Sequence, residues 1–163
     1  MIQNAFIRFI ATIYQWIINV FSNLQSVFLF LMRITWGFQF YKAGYGKFSD
    51  IGKVADFFAD LGIPLSHFHA SMVAGLELIG GLFLIFGFAS RLVSLPLSII
   101  MMVAYSTAHA HVFTRFEWVT NPSLIVNAAP FAFLITCLIV LMFGPGKISI
   151  DAYIKRKIDE KKV

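Results

Sequence analysis

Cysteine is almost missing from this chain: the single one, Cys137, sits inside an apolar run. No disulfide framework, CxxC redox pair or thiolate zinc site can be assembled from it within one chain. A dithiol oxidoreductase of the quinone-coupled, disulfide-forming kind is therefore not expected. Charge is scarce as well, at 13% of residues, where a soluble domain carries about a quarter. Phosphate-binding glycine loops, a hydrolase elbow and HExxH are absent, and Ser, His and carboxylate residues form no recognisable nucleophile arrangement. Motifs therefore assign no catalysis, and whether the chain is an enzyme stays open. Internal repeats and low-complexity segments are also lacking.

What is present is hydrocarbon. Of 163 residues 59% are hydrophobic and 19 are Phe, more apolar surface than so short a chain can hide in a soluble interior. The composition predicts an integral membrane protein with one domain, its first partner the lipid bilayer. The formal charge of +5 does not imply nucleic acid, because the basic residues lie between apolar runs and at the C-terminus rather than interleaved with aromatics on one face.

The fold expected is all-α: an integral membrane four-helix bundle flanked by three amphipathic helices. Residues 1–24 place Ile2, Phe6, Phe9, Ile13 and Trp16 opposite Asn4, Arg8, Gln15 and Asn19, the pattern of a helix lying in the interface rather than a cleaved signal peptide; a fifth span is the competing reading. Four spans follow, approximately Val27 to Lys42, His69 to Phe88, Leu92 to Val112 and Leu124 to Phe143. Between the first two, "DIGKVADFFADLGIP" reads as a surface helix ending at Gly62 and Pro64. Residues 25–148 make up the membrane domain. In 149–163 Ser149 is a candidate cap, and Ile150, Tyr153, Ile154 and Ile158 stripe a basic tail helix. Four spans divide the cations eight to four, with Arg8, Arg91, Lys147 and the tail on the richer side and Lys42, Lys47, Lys53 and Arg115 on the other. The positive-inside tendency then puts both termini in the cytoplasm.

Arg33 falls inside the first span, where an unpaired charge costs several kcal/mol. Glu77 in the second span is the expected partner, with Gly37, Phe40, Tyr41 and Gly44 on one helix facing Ala70, Ala74, Gly80 and Gly81 on the other. Small residues would let the two helices approach closely. Two readings of the pair remain open, a salt bridge that fixes helix register, or a centre for ligand binding or proton handling. Breaking one half should be worse than losing both.

Histidine forms the second constellation. His67 and His69 open span two, and His109 and His111 close span three, so all four gather at the extracytoplasmic face and could offer imidazoles to copper or another transition metal. Residues i and i+2 of a helix point roughly 200° apart, so chelation needs an extended or frayed backbone; interfacial histidines without metal are commoner. Pro130 removes a backbone bond to Val126 within span four, and a kink there, beside Asn127, could widen a pocket. Trp36 and Trp118 could stack on a quinone ring, Trp118 being better read as an interfacial anchor. Trp36, Tyr41 and Asn127 are the candidate quinone contacts.

Taken together, "RITWGFQFYKAGYGKF", "FFADLGIP", "GLELIGGLFLIFGFASRLVSLPL" and "FGPGKISID", in that order from about Leu31 to Asp151, resemble the DoxX family of small bacterial membrane proteins. The resemblance implies a four-helix membrane fold in the bacterial inner membrane, with the family's buried Arg and Glu at Arg33 and Glu77. It also implies quinone-linked redox chemistry, since the family name derives from thiosulfate:quinone oxidoreductase. On that basis the expected function is service to a redox process by holding a quinone, or a small thiol or sulfur compound, between the helices. Arg33 and Glu77 would organise the site, and His109 would relay a proton or hold an acceptor oxygen. Metal handling through the paired histidines, and a scaffold role without chemistry, are the rivals; redox or metal-handling proteins are the candidate partners.

Overall fold

The computed structural model describes residues 2–112 and 117–161. Among the described residues every regular element is helical: α1 (Ile2–Ser49), α2 (Ile51–Asp60), α3 (Ser66–Phe86), α4 (Ser90–Ser106), a 3₁₀ turn (Ala110–Val112), α5 (Glu117–Thr120), α6 (Ser123–Val126), α7 (Pro130–Phe143) and α8 (Ile150–Glu160). Two of these, α1 and α3, are long and apolar enough to cross a membrane, and α4 and α7 are shorter apolar helices. Helix α3 packs on α1, α2 and α4, while α7 packs on α4 and α1.

Helix α1 departs from expectation. The interfacial helix foreseen over residues 1–24 is continuous with the segment expected as the first span, in one helix of 48 residues, Ile2–Ser49. Between Leu24 and Val27 there is neither Gly nor Pro, so nothing stops the backbone ladder. Only the later half is packed, through a stripe of buried residues at Ser26, Leu29, Arg33, Gly37, Phe40 and Gly44, the three-and-four spacing of one helix face.

Chain punctuation acts where the residue types say it should. Asp50 caps α2 by accepting from the Lys53 N–H at 3.2 Å and pairs with Lys53 Nζ at 2.8 Å. The side-chain bond first, then the backbone one, hold its carboxyl below the ordinary range. A depressed carboxylate adds stability above its unfolded value that is lost as pH falls through the folded one, so α2 should fray in acid. Ser149 caps α8, its Oγ accepting from the Ala152 N–H at 3.1 Å. Pro130 does more than kink the helix expected over Leu124 to Phe143, which breaks at Asn127–Ala129 and restarts with Pro130 at the first turn of α7, where its missing N–H costs nothing.

Helix α4 begins at Ala89 with no side-chain cap of its own. Asp151, at the start of α8, supplies one across the fold: its two carboxylate oxygens accept from the N–H groups of Ala89 at 2.7 Å and Ser90 at 2.9 Å. In return its own N–H donates to Gly87 O at 3.0 Å. A carboxylate on a helix N-terminus satisfies orphan donors and the dipole together. Asp151→Ala should therefore cost about 2 kcal/mol in thermal unfolding, while Asp159→Ala, on the exposed side of α8, should cost nothing measurable.

Candidate functional site

The geometry of the centre follows from how α1 meets α3. A Cβ on Gly37 would lie 2.9 Å from Gly81 O, and one on Gly44 would lie 2.7 Å from Ala74 O, so the two backbones touch along an antiparallel seam of small residues. The expected close approach is present, but the register it sets is not the one that would join Arg33 to Glu77. Advancing along α1 from Gly37 to Gly44 means retreating along α3 from Gly81 to Ala74; Arg33 therefore lies level with the last turn of α3. Its Nη1 donates to Leu84 O at 3.0 Å, its Nη2 to Ile148 O, and its guanidinium carbon sits 6.0 Å from the Phe30 ring centroid. The opposite charge that acts on it is Asp151. From Leu84 or Gly87 back to Glu77 is about 11–15 Å of helix, beyond the reach of the side chain.

The predicted Arg33–Glu77 ion pair is thus corrected: both groups are buried, with Arg33 at 0% and Glu77 at 2% exposure, but in different places. Glu77 pairs with Lys47, whose Nζ donates to Oε2. Lys47 follows Gly44 by three residues on the same helix face, and its stem leans toward the helix N-terminus, back to the level of Glu77. Arg33 is instead a clasp. Gly87 ends α3 in the left-handed conformation (φ 67°), and a Cβ there would stand 2.1 Å from Arg33 Nη1 and 2.6 Å from the Ser149 Cβ. Only glycine both adopts that turn and leaves room for the guanidinium.

Lys47 and Glu77 stand on the wall of a half-open cavity of about 410 Å³ lined by α1, α2, α3, α4 and the start of α7. The rest of the wall is largely apolar, including Val73, Met101 and Phe133, and α2 closes one side with Phe57 and Phe58. His69 also lines it. Its Nδ1 lies 2.7 Å from Pro64 O, and since a carbonyl only accepts, the proton is on Nδ1 and Nε2 of the neutral ring is the acceptor. The irregular backbone gathers here too: Thr107 and Ala108 beyond α4, and Ala129 and Pro130 at the break before α7, all line the space.

The other candidates scatter. Trp36 packs edge-on against Phe133, with centroids 5.2 Å apart, behind the cavity wall rather than on it. Tyr41 stacks between Phe38 and Tyr45 along the flank of α1, and Asn127 caps α6 on the surface. None of the three lines the cavity. His109 is half-buried, its ring 6.1 Å from that of Tyr105, adjacent in sequence to the lining residue Ala108. His67 is exposed, and the side chains of His111 and Trp118 fall outside the described residues. No three His, Cys, Asp or Glu side chains are grouped for a metal ion among the described residues.

An anion and a cation side by side in an apolar wall interact strongly, because the local dielectric is low. Such a wall can bracket a guest that carries both a hydrogen-bond acceptor and a donor on an otherwise apolar body. Comparison with known proteins gives the lineage: the DoxX family model matches residues 28–110, just over half of the chain. The chain belongs to the DoxX family. Among curated proteins this DoxX chain is 34% identical over 77 residues to the "Putative oxidoreductase CatD" of Bacillus subtilis, a match covering 47% of the chain and 56% of CatD. It is 29% identical over 140 residues to the "Inner membrane protein YqjF" of Escherichia coli, covering 83% of the chain and 98% of YqjF. An uncharacterized protein of Haemophilus influenzae is 28% identical over 138 residues, 81% of the chain and 86% of that protein. No solved structure matches.

Proposed function

We propose that this DoxX protein resides in the bacterial inner membrane and serves a redox process by holding a quinone head in the cavity beside Lys47 and Glu77. The four helices α1, α3, α4 and α7 would be its spans. Their apolar exteriors support this, as does the place of the two helix breaks. Non-helical backbone at membrane depth is tolerated where it lines a cavity, and the end of α4 and the break before α7 line one here. The names of CatD and YqjF agree with a redox role and with that membrane. By the positive-inside tendency α8, Arg33 and Asp151 would lie at the cytoplasmic end and the cavity toward the opposite face.

The observation that carries the reading is the ion pair in a largely apolar pocket. Pockets of about 300–1,000 Å³ lined by apolar groups with a few placed polar ones are the usual form of small-molecule sites. The Lys47 ammonium would donate to a quinone carbonyl oxygen. Glu77 would accept from a hydroquinone hydroxyl, and His69 Nε2 offers a second acceptor.

Equilibrium titration of the purified chain with a short-chain ubiquinone, followed by tryptophan quenching, tests this. Saturable binding is expected. Glu77→Gln and Lys47→Gln should each weaken it by roughly tenfold, as loss of one charged hydrogen bond implies, whereas Asn127→Ala should leave it unchanged. Equal affinity in all four proteins would refute the assignment.

A further inference from the structure

A second hollow lies at the other end of the helices. It measures about 660 Å³ and is framed by α1 at Ser22 and Ser26, the start of α4, the end of α7 and the first turns of α8. Three cations line it, Arg91, Lys147 and Lys155, all exposed. Arg91 is held in place, Nη2 donating to Met142 O at 3.2 Å, with its guanidinium over Gly144, where a Cβ would lie 3.3 Å from Nη2. Asp151 is the opposing charge, but both of its oxygens are already engaged by the N-terminus of α4. The hollow is therefore net cationic. Besides Ser22, Gln25 and Ser26 of α1, its rim carries exposed apolar side chains: Leu92 is 75% exposed and Phe143 is 62% exposed.

The geometry points to a binding site for one anionic phospholipid, its phosphodiester headgroup among Arg91, Lys147 and Lys155 and its acyl chains running down over Leu92 and Phe143. Cations alone would suit any phosphate. Cations that pass directly into exposed apolar side chains, at the level where the spans end, suit a phosphate that carries hydrocarbon. The site rests on the membrane placement given above. It is independent of the cavity, so failure of either leaves the other standing.

The test is native mass spectrometry of the full chain in a non-ionic detergent, offered equal amounts of phosphatidylglycerol and phosphatidylcholine with the same acyl chains. The wild type should retain phosphatidylglycerol in preference. Each cation near an anionic headgroup contributes about a fivefold effect. Arg91→Gln combined with Lys147→Gln and Lys155→Gln should therefore reduce that preference at least tenfold. Lys155→Gln alone, an exposed position, should reduce it about fivefold and covers the case in which losing the Arg91 bond disturbs folding. Lys157→Gln with Lys161→Gln, on the same tail but outside the hollow, should change nothing. Equal retention of both lipids, an unaltered preference in the Arg91, Lys147 and Lys155 variant, or an equal loss in the tail variant would overturn the site. Release of the lipid by millimolar inorganic phosphate would reassign it as a free-phosphate site and overturn the lipid assignment.

Discussion

Lys47→Met should lower the unfolding free energy of this protein by about 3 kcal/mol, and Lys47→Met combined with Glu77→Leu should recover most of it. The asymmetry arises because Glu77 is nearly sealed from solvent while the Lys47 side chain is 27% exposed. Removing the cation leaves a carboxylate in an apolar wall with no partner. Removing both leaves only apolar contacts to be made. Partial exposure of Lys47 sets the expectation at the lower end of the roughly 3–5 kcal/mol seen when one half of a buried pair is lost. Denaturant unfolding in detergent micelles measures the cycle. Arg33→Met should be costly too, yet additive with Glu77→Leu, because Arg33 meets the last turn of α3 whereas Glu77 lies near its middle, and the two share no partner. Strong coupling between Arg33 and Glu77, with none between Lys47 and Glu77, would reverse the pairing described here.

The seam between α1 and α3 carries the second large effect. A Cβ at Gly81 would stand 2.5 Å from Tyr41 N and 2.6 Å from Gly37 O, and one at Gly44 would stand 2.4 Å from Leu78 N. The atoms in the way are backbone, which cannot rotate aside, so the helices must separate. Gly81→Ala or Gly44→Ala should then cost about 3 kcal/mol and lower the thermal midpoint accordingly. Because the seam also sets the level of Lys47 against Glu77, quinone affinity should fall with it. Gly46→Ala is the control: nothing lies within 4 Å of its Cβ position. There alanine should be neutral or stabilising by up to about 1 kcal/mol, through helix propensity alone.

These two sets of residues also show what was legible in the sequence. Burial of Arg33 and Glu77 was, because each sits on a stripe of small and apolar residues at helical spacing. The close α1–α3 approach was legible as well, through Gly37, Gly44 and Gly81. The partner choice was not. Judging depth from the span ends at Val27 and Phe88 leaves several ångströms of play, whereas the glycine contacts place α1 against α3 to within a residue or two. By its charge Lys47 reads as a loop cation, although its position three residues after Gly44 continues the buried face. The role of α2 was half visible: its apolar face was clear, but not that Phe57 and Phe58 would close a cavity. The caps at Ser149 and the stop at Gly62 and Pro64 are local and were readable. The cap that Asp151 gives to α4 joins residues about sixty positions apart, and no local pattern carries it. The break before Pro130 was foreseen only as a bend, since a missing N–H says where a ladder is weakened but not whether neighbouring contacts hold it together.

Anomalous diffraction from crystals grown with a brominated short-chain quinone bears on the central claim most directly. The bromine peak is expected inside the enclosure formed by α1, α2, α3 and α4, with Lys47 Nζ and Glu77 Oε2 against the quinone oxygens. A peak confined to the outer surface, or a map in which Glu77 meets Arg33 and side chains fill the space between them, would contradict the account.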